Sequence, residues 1–300
     1  MSMKSIFIWK VSVVDMKTGL VLEGGAMRGM YTAGVLDVMM ENGIKVDGAV
    51  GVSAGAVFGC NYKSGQIGRV IRYNTKYCRD PRYSSLGTLI KTGDLYGVDF
   101  CYHMIPEILD PFDQKAYEEN PMDFYVVCTD VHTGRPIYHL CNKGDANDIL
   151  WMRASASMPI VSKVVSVDGY DLLDGGISDS IPVSWFMRQG YDKSIVILTR
   201  HDGYRKKKSK FTPVIRVLMK KYPAIGKAME QRHLKYNASI SKVRKLERQG
   251  KVFVIQPSSK IPIGRTEKDP EKLRMVYDMG RKDALSQLKK MKDFLKNEDN

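Results

Sequence analysis

Short apolar runs alternate with stretches of helical period through the first two thirds of the chain. Residues 20–23 predict a short strand that stops at Gly24-Gly25. Residues 30–42 then carry Ala33, Leu36, Met39 and Met40 on one helical face, with Gly43 as a stop. Residues 46–52 predict a second strand, broken at Ser53, and residues 54–63 resume as a helix of small and apolar side chains. Residues 79–113 are rich in Pro, Gly, Tyr and Ser and lack a clear period. They predict irregular chain with short helices, a candidate cap over a site. Residues 123–130 are strongly β-prone, and residues 135–140 follow as another strand after the turn at Thr133-Gly134. A helix is predicted at 145–155. Strands at 164–167 and 170–173 flank Asp168-Gly169, the dipeptide of a tight hairpin turn. Residues 194–199 predict a buried strand, 252–255 one more, and 271–297 a charged amphipathic helix or pair. Strands alternating with helices predict an α/β fold: a central, mostly parallel sheet with helices on both faces.

Composition changes this picture in one place. The chain has 300 residues, of which 43% are hydrophobic, enough for a substantial core. Its formal net charge of +14 is regional, because residues 200–251 hold 17 of the 47 Lys/Arg but only 3 of the 33 Asp/Glu. The remainder is neutral. The expected organisation is therefore a catalytic domain over 17–200 followed by a basic, mainly helical extension over 201–300, packed on the core and carrying the strand at 252–255. Five widely spaced cysteines form no C-x-x-C pair and predict reduced thiols in a cytoplasmic protein. The apolar run at 6–14 is interrupted by Lys10 and too short to cross a bilayer. No small-x-small cleavage site follows it, and ordered chain is expected to start near Met16.

Three glycine-rich turns could carry chemistry. Gly51-Val52-Ser53-Ala54-Gly55 is a G-x-S-x-G between a strand and a helix. A nucleophilic serine on such a turn needs small neighbours so that its hydroxyl projects, and the helix N-terminus directs free N–H groups toward it. Gly24-Gly25-Ala26-Met27-Arg28-Gly29 also links a strand to a helix. Its N–H groups could hold a phosphate or the oxyanion of a tetrahedral intermediate. It matches neither a dinucleotide fingerprint nor a Walker loop. Asp174-Gly175-Gly176 ends the second hairpin strand; taken alone, it reads as a turn.

Taken in order, Gly-Gly-x-x-Arg-Gly, Gly-x-Ser-x-Gly and Asp-Gly-Gly resemble the patatin-like phospholipase family. The blocks at 153–159 (Arg-Ala-Ser-Ala-Ser-Met-Pro) and 174–182 are similar to that family as well. The likeness covers about residues 19–199 and thins through 79–121. Beyond Arg200 it is to bacterial members with a basic helical extension. The resemblance implies a serine acyl hydrolase of phospholipase A or lysophospholipase type, without metal or cofactor. Ser53 would attack a lipid ester and Asp174 would serve as its base. Backbone N–H groups of the loop Gly24, Gly25, Ala26, Arg28 and Gly29 would form the oxyanion hole, with Arg28 orienting the loop. Gly51 and Gly55 would shape the elbow, and Gly175 and Gly176 would support the aspartate. The family usually has a third glycine where this chain has Ala26. If that position needs a positive φ, alanine is strained there by roughly 1 kcal/mol or more.

An α/β-hydrolase triad would add a histidine after the aspartate, and His201 and His233 are the candidates by order. The dyad reading expects both to be dispensable. The basic segment at 205–251 lies beside Phe211, Val214, Val217, Leu218 and Met219. That pairing predicts peripheral adsorption to anionic membranes rather than nucleic-acid binding. The alternatives are a catalytically silent basic protein on the same fold, binding lipid or nucleic acid, and a thioesterase or nonspecific esterase.

Overall fold

The computed structural model describes residues 16–296. The apolar run at 6–14, and with it the expectation about the start near Met16, falls outside them. The first elements among the described residues are β1 (Lys17–Leu22), α1 (Gly29–Glu41), β2 (Gly48–Val52), α2 (Ala54–Lys63) and α3 (Arg69–Tyr77). The poorly periodic stretch holds α4 (Leu86–Thr92) and a π-helical segment (Phe100–Leu109) with Pro106 inside it, followed by α5 (Gln114–Glu119). Next come β3 (Asp123–Asp130), β4 (Pro136–Leu140), α6 (Ala146–Ser155), β5 (Val165–Val167), β6 (Tyr170–Asp174), α7 (Val183–Arg188) and β7 (Tyr191–Ile197). The basic third supplies α8 (Thr212–Leu218), α9 (Pro223–Arg248), β8 (Val252–Ile255) and α10 (Pro270–Leu295).

All eight strands form one mixed sheet. Its centre is parallel, in the order β3-β2-β1-β7-β8. Beyond β3, the strands β4 and β6 are antiparallel to it, and β5 closes a hairpin on β6. That hairpin turns through Asp168 and Gly169, both at positive φ, as an Asp-Gly turn requires. Both faces of the sheet are covered, so its central strands are apolar on both sides. Leu20 and Leu22 of β1 pack with side chains of α1, α2 and α10, while Val21 packs with side chains of α7 and α9.

α1 departs from the one-sided pattern its apolar spacing predicts, because almost every residue in it is buried. The reason is α10, which lies along its far side. A Cβ at Gly34 would overlap the Tyr277 carbonyl oxygen, and one at Gly280 would overlap the Tyr31 carbonyl oxygen, so the two backbones touch through glycines. Tyr277 donates its hydroxyl to Asp37 (2.6 Å) and Tyr31 donates to Asp283 (3.1 Å). Arg281 forks onto Glu41 with two contacts of 2.8 Å. The basic third is thus fastened to both the sheet, through β8, and the first helix.

Candidate active site

The register of β3 decides what meets what. Residues Tyr125–Val127 pair with β2 and β4 at once, so those strands lie on opposite edges. Cys128 and Thr129 pair with β4 and β6 at once, so β6 shares the edge of β2. On that edge Val52 opposes Val127, and the next position, Cys128, opposes Asp174. The edge therefore passes from β2 to β6 just where β2 ends, and Ser53 comes to lie against Asp174.

Ser53 caps α2 with φ 56° and ψ −122°, a conformation that costs a non-glycine residue of order 1–3 kcal/mol. The neighbours hold it there. A Cβ at Gly51 would lie 2.6 Å from the Gly55 carbonyl oxygen, and one at Gly55 would overlap the Leu22 carbonyl oxygen. Only glycines allow the turn to close this tightly. The Ser53 N–H donates to the Ser155 hydroxyl (2.8 Å), which donates in turn to the Val127 carbonyl (2.6 Å). Through Ser155 the turn is fixed to β3.

Asp174 is buried, not the exposed turn residue its Asp-Gly-Gly context suggests by itself. Its carboxylate accepts the Gly176 N–H (2.7 Å), and it lines one pocket with Ser53, whose hydroxyl is near enough to favour its charged form. Its own N–H donates to the Ser157 carbonyl (2.7 Å), and its carbonyl accepts the Thr129 hydroxyl (2.8 Å). Burial raises its pKa; the Arg232 guanidinium, the Ser53 hydroxyl and the Gly176 N–H oppose that rise. Gly175 has no room for a side chain, since a Cβ there would overlap the Val127 carbonyl oxygen.

The glycine-rich loop borders the same point. A Cβ at Gly24 would sit 2.8 Å from the Ser53 Cβ. Among the described residues, the N–H groups of Gly24, Gly25 and Ala26 have no hydrogen-bond partner, while those of Glu23, Met27 and Arg28 are bonded on either side. Ala26 takes φ 50°, so the condition for strain at this position is met. Glu23 anchors the loop by accepting the Thr199 N–H (2.7 Å) and the Tyr236 hydroxyl (2.9 Å). Gly29 lies under Phe58, where a Cβ would come within 2.8 Å of the ring. Arg28 is buried with no salt bridge among the described residues, and burial together with Arg200 lowers its pKa to about 10.

A cavity of about 740 Å³ opens at Ser53 and Ala26. Met27, Phe58, Tyr73, Ile105, Ile149 and Met152 contribute to its apolar wall. On the other side of Ser53 a polar pocket of about 30 Å³ is lined by Asp174, the glycine-rich loop, Arg28, Lys206, Arg232 and Arg265. Sequence reasoning missed the last three and Ser155. Ser155 lies in the small-residue block at 153–159, and that block was the only hint of its role. The cations belong to or follow the basic segment, whose composition signals charge but not direction. His233 lines the large cavity with its buried Nδ1 unpartnered, and His201 Nδ1 lies by the Asp202 carbonyl. Neither imidazole is hydrogen-bonded to Ser53 or Asp174.

Comparison with known proteins places this constellation in context. The chain is 35% identical over 191 residues to an uncharacterized protein, YjjU, of Escherichia coli, covering 61% of this chain and 52% of that protein. It is 27% identical over 186 residues to the lysophospholipase nte1 of Aspergillus fumigatus, covering 58% of this chain and 11% of that protein. The chain thus spans about half the length of its Escherichia coli relative and a small part of the fungal one. Among solved structures, VipD of Legionella pneumophila aligns with a TM-score of 0.45 at 12% identity, over 91% of this chain and 67% of that one. Residues 222–296 match a domain of unknown function (DUF6363). Residues 20–187 match the patatin-like phospholipase family, and they hold the serine turn, the aspartate and the glycine-rich loop. On that match over more than half of its length, the chain belongs to the patatin-like phospholipase family.

Proposed function

We propose that the protein is a serine acyl hydrolase that cleaves carboxylic esters of phospholipids or lysophospholipids through a Ser53–Asp174 dyad. The observation that carries this reading is the passage of the β3 edge from β2 to β6. It sets a strained serine against a buried carboxylate at the mouth of an apolar cavity. The acyl chain occupies the cavity and brings its ester carbonyl to Ser53. The Ser53 Oγ bonds to the carbonyl carbon while its proton passes to Asp174. The oxyanion is held by the free N–H groups of Gly24, Gly25 and Ala26, and the N-terminus of α2 adds its positive end. On collapse the leaving alcohol takes the proton from Asp174. Water then attacks the acyl-enzyme, gives its proton to Asp174, and the acid departs as Ser53 regains a proton. Desolvation makes Asp174 a stronger base than a solvated carboxylate, whose pKa is near ~3.9. The Arg232 guanidinium opposes that gain by favouring the charged form.

We further propose peripheral adsorption to anionic membranes through the segment at 205–251. No described helix is long and apolar enough to cross a membrane. Instead α8 exposes Val217 (71%) and Leu218, and Phe211 just before it is 70% exposed. Lys207, Lys208, Lys210 and Lys220 flank these side chains in sequence and are exposed as well. Exposed apolar side chains flanked by lysines suit an interface of anionic headgroups. Equal co-sedimentation with neutral and anionic vesicles would sink this part.

The dyad is tested with a short-chain nitrophenyl ester and a fluorophosphonate probe. Wild type is expected to turn over and label. Ser53→Ala and Asp174→Ala, folded by circular dichroism, are expected to lose turnover by a factor of about 10³ or more. A wild type that is inert even with lipid interfaces present overturns the reading.

A further inference from the structure

The cations around the polar pocket outnumber the carboxylates there. Arg28, Lys206, Arg232 and Arg265 line it, and Arg200 is close enough to depress the pKa values of Arg28 and Lys206. None of these five forms a salt bridge among the described residues. Among the described residues two carboxylates line the pocket, and each also accepts hydrogen bonds: Glu23 from Thr199 and Tyr236, Asp174 from Gly176. The buried Nε atoms of Arg28 and Arg200 have no hydrogen-bond partner among the described residues. Burial and the neighbouring arginines bring the Lys206 pKa down to about 7. Cations that share one pocket and repel one another are costly unless an anion joins them.

We propose that this cluster is a phosphate subsite, in which Lys206, Arg232 and Arg265 receive the phosphate of the substrate's headgroup. The inference rests on the ester-hydrolase reading above and deepens it by naming the substrate class. Position carries it. Lys206, Arg232 and Arg265 line both the apolar cavity and the polar pocket, so they stand at the junction beside Ser53. The pocket itself, about 30 Å³, holds a water or two rather than a phosphate, so the group sits at the shared rim. In a glycerophospholipid the phosphate lies one glycerol backbone away from the ester carbonyl. A chain threaded into the cavity with its carbonyl at Ser53 therefore delivers its phosphate to that rim. Guanidinium forks and a lysine suit phosphate oxygens, and a neutral glyceride leaves them unpaired.

All three side chains come from the C-terminal third. Arg232 stands on α9 and donates its Nε–H to the Gly176 carbonyl, while Arg265 accepts the Met27 N–H on its own carbonyl (3.4 Å). The basic region thus reaches into the active site as well as covering the surface. Cations placed only to help the oxyanion would accelerate every ester alike, whereas a phosphate subsite discriminates by headgroup.

The test holds the acyl chain constant, short enough to stay monomeric so that surface adsorption does not enter. It compares kcat/KM for a 1-acylglycerol 3-phosphate and the matching 1-monoacylglycerol. Wild type is expected to favour the phosphate ester by about tenfold or more, the worth of one or two charge-assisted hydrogen bonds. Lys206→Met and Arg265→Met are each expected to shrink that ratio, and the double variant to bring it near one. Exchange of the exposed Arg274 on α10 for alanine leaves the ratio alone. A second arm needs no turnover: calorimetric titration of folded Ser53→Ala protein with glycerol 3-phosphate and with inorganic phosphate. Glycerol 3-phosphate is expected to bind more tightly, and Lys206→Met in that background to abolish the difference. If both esters are hydrolysed equally well by wild type, the subsite is overturned and the hydrolase stands. If neither is hydrolysed but glycerol 3-phosphate still binds through Lys206, the subsite stands and the hydrolase falls. Inorganic phosphate binding as tightly as glycerol 3-phosphate would mark a free-anion site and overturn the headgroup assignment.

Discussion

Two regions build this site by opposite means. The first region, 20–187, positions its groups with backbone: a strand register, a strained turn and glycines that leave no space for a Cβ. The C-terminal third positions its groups with long side chains that reach in from α9, the loop before α8 and the loop after β8. Backbone placement is stiff and suits the atoms that exchange a proton. Side-chain placement is adjustable and suits recognition of a charge that differs between substrates. The two regions should therefore fail differently when changed.

The largest effect is expected in the first region. Gly175→Ala drives a methyl into the Val127 carbonyl and must displace Asp174 from Ser53. A loss of about 10² or more in turnover is expected, since small misplacements of a reacting group cost that much. Near-normal turnover in a folded variant would mean that the backbone is not what sets the dyad. Next comes the join between the regions. Gly280→Ala presses a methyl on the Tyr31 carbonyl across the α1–α10 contact and is expected to destabilise by about 1–3 kcal/mol in urea melts. An unchanged midpoint would show that the helices part without cost.

A smaller effect links the regions electrostatically. The base works only when ionised, and burial holds the Asp174 pKa above the ordinary carboxylate value. Activity should therefore fall as pH drops through that raised pKa. Arg232 pulls the value down, so Arg232→Met should raise it and move the acid limb of kcat to higher pH. An unmoved limb would place Arg232 in recognition alone. The smallest effect is at Ala26. Ala26→Gly removes a side chain from φ 50° and is expected to stabilise by up to about 1 kcal/mol, reduced by glycine's greater freedom when unfolded. A lower melting temperature would show that the methyl packs usefully despite its backbone.

Much of the fold was readable in the chain, because the parallel strands are apolar on both faces and interrupted by glycine. The strands at Asp123–Asp130 and Val252–Ile255 and the helix at Ala54–Lys63 form as their patterns predict. α1 was readable as a helix but not as one buried all round, since its cover lies some 240 residues away along the chain. The serine turn and the aspartate were readable as motifs because tight turns restrict residue type. The burial of Asp174 was not, because Asp-Gly-Gly is equally at home on a surface.

The sequence by itself determined the alternation of strand and helix, the glycines that close the serine turn, and the concentration of positive charge in one segment. Those features are local: they follow from side-chain size, period and backbone freedom within a few residues. Only the tertiary structure decided that the edge of β3 passes from Val52 to Asp174, and that Lys206, Arg232 and Arg265 line one pocket. Which strands share an edge, and which way a long side chain reaches, are settled by packing between segments far apart in the chain, where no local pattern records them.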